Sequence, residues 1–121
     1  MMVYAERAIL VVEDEKDSRE FLVQILEFEG FRAVGAANGA EALRYLEQSD
    51  PPCLIILDLR MPVMDGAQFR AAMLREERFA AIPVVVVTAF DPPSASGLSP
   101  IGILRKPVNI ETLIRLVRTH C

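Results

Sequence analysis

The chain has 121 residues, 52% of them hydrophobic and 25% charged, with a formal net charge of −4. That length supports one domain, residues 1–121, with a real core, and the acidic balance gives no electrostatic footprint for nucleic acid. No apolar run approaches the roughly 20 residues of a membrane span, and "MMVYAERAILVVEDE" lacks the apolar length and cleavage pattern of a signal peptide.

"AILVV" (8–12) is short, continuous and β-branched, as a strand buried on both faces is. Behind it Phe21, Leu22, Ile25 and Phe28 recur at helical spacing, with Asp17 or Ser18 as the expected cap and Gly30 as the stop. "FRAVGA" (31–36) reads as a weaker strand. "NGAEALRYLEQ" (38–48) reads as a helix in which Asn38 caps and Glu41 completes a pair resembling a capping box.

"CLIIL" (53–57), launched by Pro51 and Pro52, is a second wholly apolar strand. "DGAQFRAAMLREE" (65–77) is a helix with Phe69, Met73 and Leu74 expected on its inner side. "PVVVV" (83–87) is the third buried strand. Pro92, Pro93 and Pro100 limit any helix in the next stretch to about one turn. "IGIL" (101–104) is the last strand, and "NIETLIRLVRTH" (109–120) a closing helix capped by Asn109. Alternation of this kind predicts an α/β fold, a doubly wound parallel sheet with helices on both faces. Ligands then bind beyond the carboxyl ends of the strands.

Those ends are chemically distinctive. Glu13 and Asp14 follow the first strand, Asp58 the third, Thr88 the fourth and Lys106 the fifth. At roughly 5 Å and an effective dielectric near 20, two carboxylates repel by about 3 kcal/mol, so such a cluster calls for a proton or a cation. All-oxygen ligands with positions left for water and phosphate suit Mg²⁺. Lys106 adds positive charge and Thr88 a hydroxyl donor, so the set can hold a phosphoryl group on Asp58 beside a metal bound by Glu13 and Asp14. Asp58 is the favoured acceptor because "LRMPVMDG" follows it, with Pro62 fixing the path and Gly66 permitting a tight turn.

"VVEDE", "ILDLRMPVMDG", "VVVVTA" and "LRKP", in this order, resemble the receiver domain of two-component response regulators, the chemotaxis type being the compact example. The resemblance runs from about Ala8 to about Arg118. It implies a flavodoxin-like five-stranded parallel sheet of order 2-1-3-4-5, with Asp58 as phosphoacceptor and Glu13 and Asp14 as the acidic pair for Mg²⁺. It further implies the main-chain carbonyl of Arg60 as a metal ligand, Thr88 as switch hydroxyl, Lys106 on the phosphoryl oxygens, and a cis peptide before Pro107. Implied partners are a sensor histidine kinase or phosphotransfer protein and a downstream protein target, with a cytoplasmic setting, no direct nucleic acid, no membrane, and a monomer or weak homodimer. The expected reaction is phosphoryl transfer onto Asp58 and its hydrolysis, without other enzymatic activity.

Two departures from the family's pattern fall late in the chain. Only ten residues, 91–100, separate Phe90 from Ile101, so the family's fourth helix is expected to be short, missing or disordered, and phosphorylation to order residues 90–100. Ile103 stands where the family commonly has Tyr or Phe, leaving Phe90 as the nearby aromatic. These departures keep an alternative open, a phosphorylation-independent receiver acting as an interaction module. A flavin carrier is disfavoured because two acids occupy the place of a phosphate loop. An Asp-nucleophile phosphohydrolase is disfavoured because Arg60 stands where its second acid belongs. Met1 and the short tail after His120 favour a stand-alone chain over a fragment of a hybrid protein.

The remaining distinctive residues have plainer readings. Cys53 and Cys121 show neither a zinc spacing nor a disulfide framework and read as core and tail residues. His120 reads as a solvated tail residue, and Met61 and Met64 as packing beside the acceptor loop, with a gating role as the alternative. Arg70, Arg75 and Arg78 read as an exposed helical face and its exit, with "REER" (75–78) as ordinary solvation. Ala89 is small, which would give a donor or water access to Asp58, although an alanine at a strand end is also an ordinary residue there.

Overall fold

The computed structural model describes residues 7–59, 66–89 and 100–121. In chain order the elements are β1 (Ala8–Val12), α1 (Lys16–Phe28), β2 (Arg32–Ala36), α2 (Gly39–Gln48), β3 (Leu54–Asp58) and α3 (Gly66–Leu74). They continue with α4 (Glu77–Ala80), β4 (Val84–Thr88), β5 (Gly102–Arg105) and α5 (Ile110–His120). The five strands form one parallel sheet in the order β2-β1-β3-β4-β5, as expected.

Strand alternation explains why the apolar runs are continuous. Leu10, Val12, Ile55, Leu57, Val84 and Val86 face one core with Phe69, Met73 and Leu46. Ile9, Val11, Leu54, Ile56, Val85 and Val87 face the other with Leu22, Leu26, Leu113 and Val117. A side chain on either face of a central strand is therefore buried, which confines polar positions to the strand tips. Among the described residues no helix is long and apolar enough to cross a membrane.

The ends of the helices follow local chemistry. Gly30, at φ 97°, closes α1: its N–H donates to Glu27 O and the Phe31 N–H to Leu26 O, each at 3.0 Å. That double bond pattern needs a left-handed residue, the conformation glycine adopts without a Cβ penalty. Asn38 and Asn109 cap α2 and α5 through their side-chain oxygens, accepting from the Glu41 and Thr112 N–H groups. The Glu41 carboxylate reaches back to the Ala37 N–H at 2.9 Å.

Several expectations are corrected. The cap of α1 is Glu15, whose carboxylate accepts from the Ser18 N–H at 2.8 Å, and neither Asp17 nor Ser18 fills that role. The inner stripe of α1 runs through Leu22 and Leu26, so Phe21 and Phe28 face outward at 54% and 89% exposure. Leu74 is likewise exposed, because the buried stripe of α3 is Phe69, Arg70 and Met73. Arg70 is thus a buried cation whose pKa desolvation pulls down, with Nη1 3.9 Å from Met73 Sδ. Part of "REER" forms the short helix α4, while Arg75 and Arg78 are exposed as expected.

Cys53 and Cys121 are joined in a disulfide with their Cα atoms 5.5 Å apart. Their separation of 68 residues carries no local signature. The fold supplies the encounter, because α5 runs back across the sheet and the residue just after it arrives where β3 begins. The expected short or missing helix before β5, its predicted ordering, and the readings of Arg60, Met61, Met64 and Phe90 lie outside the described residues.

Candidate functional site

Glu13 continues β1 by one residue: its N–H donates to Ala36 O at 3.0 Å, so the strand's ladder carries its backbone to the sheet's rim. Asp58 is the last residue of β3 and pairs with Val87 of β4. Both acids are buried, whereas Asp14 is exposed at the mouth of the site. One carboxylate oxygen from each of Glu13, Asp14 and Asp58 lies within 4.8 Å of the others, the reach of a single metal ion. Three oxygens and no nitrogen or sulfur make a donor set for a hard cation.

Lys106 completes the arrangement. Its N–H donates to Thr88 O at 2.9 Å, extending the β4–β5 ladder past β5, and the next peptide, Lys106–Pro107, is cis as expected. From there the ammonium reaches both buried acids, with Nζ 3.0 Å from Asp58 Oδ2 and 3.1 Å from Glu13 Oε1. Burial pulls the Lys106 pKa down, but the hydrogen bonds and charges of Asp58 and Glu13 outweigh it and hold the pKa above the usual lysine value. Burial pushes the Glu13 carboxyl up, and the Asp58 charge adds to that. The Glu15 N–H and Lys106 oppose the rise without cancelling it.

Thr88 ends β4 with 1% exposure, and Ala89 beyond it is exposed. Glu13, Asp14, Asp58 and Lys106 are therefore brought together, with Thr88 on the adjoining strand tip. The Arg60 carbonyl lies outside the described residues. Ile103, the departure from the family's aromatic, is half-buried against the core that holds Leu10 and Phe69.

Two supporting residues escaped the sequence reading. Arg19 lies over Gly35 of β2, where a Cβ would stand 3.0 Å from its Cγ and Cδ. Its Nη1 donates to Glu13 O at 3.0 Å and more weakly to Asp14 O at 3.4 Å. The guanidinium thus fixes the backbone that carries the acidic pair. The signal was an arginine one helical turn into α1 facing a glycine in a strand. Glu15 is the second: its own N–H binds Glu13 Oε2 at 3.1 Å while its side chain caps α1. On the other flank, a cleft of about 240 Å³ opens between α1 and the start of α5, lined by Phe21, Leu22, Val87, Pro107, Val108 and Ile110 beside Glu13 and Lys106.

A parallel sheet of this order, carrying acids and a lysine on one rim, is the architecture of a flavodoxin-like receiver fold. The sequence profile of the response regulator receiver domain matches residues 9–118, and the chain belongs to that family. A response regulator receiver protein from Pseudomonas putida has 35% sequence identity and a TM-score of 0.89, covering 97% of this chain and 99% of that one. Response regulator TrrA from Thermotoga maritima, solved in complex with Mg(2+)-BeF, has 27% identity and a TM-score of 0.83, covering 95% of this chain and 99% of that one. Among curated relatives, the positive alginate biosynthesis regulatory protein of Pseudomonas aeruginosa is 36% identical over 115 residues. Those residues are 91% of this chain and 45% of that protein. The match to response regulator Rre1 of Synechocystis spans 36% of its length, so the chain corresponds to less than half of these longer relatives.

Proposed function

We propose that this receiver domain, residues 1–121, is a phosphoacceptor switch in which Asp58 takes a phosphoryl group from the phosphohistidine of a sensor kinase or phosphotransfer protein. The observation that carries the reading is Lys106 Nζ held on Asp58 and Glu13 at once, with Asp14 completing a three-carboxylate cluster. An Asp58 oxygen attacks phosphorus, the bond to the donor's imidazole nitrogen breaks, and the nitrogen keeps the electron pair. Later attack by water returns the carboxylate and releases phosphate. Mg²⁺ held by Glu13, Asp14 and Asp58, with the Arg60 carbonyl as a further ligand, would supply the positive charge that lets an anionic donor approach three acids. Lys106 pairs with a phosphoryl oxygen in place of a carboxylate, and Thr88 donates its hydroxyl to another.

The cleft flanked by Phe21 and Ile110 gives the donor protein an apolar seat next to the acceptor. Output passes to a protein partner through the surface around the last two strands and the closing helix, in the cytoplasm. Intact mass after incubation with acetyl phosphate and Mg²⁺ tests the reading. A gain of one phosphate that disappears in Asp58→Asn is the expected result. No gain in the folded wild-type chain, or a gain that survives the substitution, overturns it. The first failure leaves the phosphorylation-independent interaction module, which Ile103 in the aromatic's place favours.

A further inference from the structure

The disulfide stands on the rim opposite the carboxylates. Cys53 precedes β3 and Asp58 ends it, so the two are separated by the strand's length, roughly 16 Å. Cys121 sits just past α5, a helix that starts beyond Pro107 and crosses back over the sheet. The bond therefore clasps the far end of the helix whose near end leaves the phosphate-handling lysine.

Three features suit this bond to opening as well as to closing. First, α5 has its own anchors without it: Leu113, Ile114 and Val117 are buried, and Arg118 pairs with Glu29 and stacks over Phe31. Second, the buried Cys53 sulfur lies 3.6 Å from Ala8 O and 3.9 Å from Arg7 O. A disulfide sulfur has no hydrogen to give them, but the thiol formed on reduction has one and finds its acceptors in place. Third, Cys121 follows the last turn and is half-buried while Cys53 is buried, so Cys121 is the more accessible of the two residues to an incoming thiolate.

We propose that Cys53 and Cys121 form a reversible thiol–disulfide site whose reactant is a dithiol, and that its state sets how firmly the end of α5 is held. The dithiol's thiolate attacks Cys121 Sγ, the bond to Cys53 breaks, and Cys53 leaves as a thiolate that takes up a proton. The donor's second thiol then attacks its own sulfur in the mixed disulfide and releases Cys121. The protein gains two electrons and two protons, and the dithiol becomes a disulfide. This inference does not depend on phosphorylation of Asp58.

The test is to equilibrate the folded full chain in buffers of reduced and oxidised dithiothreitol, quench with acid, then unfold it in denaturant with iodoacetamide to trap every thiol and read intact mass. Two adducts should appear together at millimolar reductant and vanish on return to oxidant. The thermal midpoint should fall by roughly 10 °C on reduction, as expected for releasing a long closed loop. Amide exchange should rise about tenfold or more in residues 118–121 and stay unchanged in β1 and β3. Cys121→Ser should match the reduced protein in exchange, whatever the reductant. Thiols that alkylate without reductant, a bond that opens only when the chain unfolds, or a disulfide linking two chains would each overturn the proposal.

Discussion

Lys106 Nζ lies 3.0 Å from Asp58 Oδ2, a lysine from the sheet's edge serving as counter-charge to a buried carboxylate at its centre. Replacing it with methionine leaves Asp58 and Glu13 to repel each other with no cation between them. Because the lysine is about one-third exposed, solvent softens the loss, and Lys106→Met should cost about 1–3 kcal/mol of stability. Saturating Mg²⁺ should then raise the variant's thermal midpoint by more than the wild type's. Equal gains would show that lysine and metal do not share the same carboxylates.

Arg19 holds the carbonyls of Glu13 and Asp14 without offering any ligand itself. Removing an outer partner of this kind typically weakens metal affinity by about tenfold or more. Calorimetric Mg²⁺ titration of Arg19→Met should show a loss of about that size, with stability lowered by no more than about 1 kcal/mol. Arg19→Lys should recover part of the affinity. A purely structural arginine would lower the thermal midpoint and leave the binding curve in place.

Gly66 donates its N–H to Leu59 O, and a Cβ there would meet Asp58 O and Leu59 Cα at 2.7 Å. Both obstacles are backbone, so neither can rotate aside. Gly66→Ala should cost about 1–3 kcal/mol and slow acceptance of phosphate by displacing the Asp58 backbone. Denaturant titration and the rate of mass gain read the two effects separately. Ala67→Gly, at an exposed position one residue later, should cost about 1 kcal/mol by helix propensity alone and leave the rate unaffected.

The Asn109 cap, three residues after Lys106, fixes where α5 begins. Asn109→Ala should lower stability by about 1 kcal/mol, and Asn109→Gly by only a few tenths. Chemical denaturation checks the ranking, which reverses if the side chain matters for packing rather than for the Thr112 N–H.

The sheet was legible because burial on both faces writes an unbroken apolar run, and three such runs stand in the sequence. Lys106 was legible with them, since a parallel sheet sends every strand's polar sequel to one rim. The orientation of α1 was not. Phe21, Leu22, Ile25 and Phe28 share helical spacing, yet spacing does not say which stripe meets the sheet, and the aliphatic pair Leu22 and Leu26 took the inner place. Arg70 was misplaced for the opposite reason: its charge argued for solvent while its position beside Phe69 and Met73 put it inside. The cysteine pair needed topology rather than pattern, since the end of a returning helix lies over the start of a strand.

Glu13 and Asp58 hang from β1 and β3, which have neighbours on both sides, whereas Lys106 hangs from β5, which has one. Of the two edge strands β2 carries none of these side chains, so fraying at β5 is what moves the positive charge away from the acids. A molecule opened there keeps its acids assembled and loses their basic companion, so on the proposed function it would still attract a divalent ion after losing its grip on an anion. Loss of signalling competence would thus precede loss of metal uptake as the domain is destabilised.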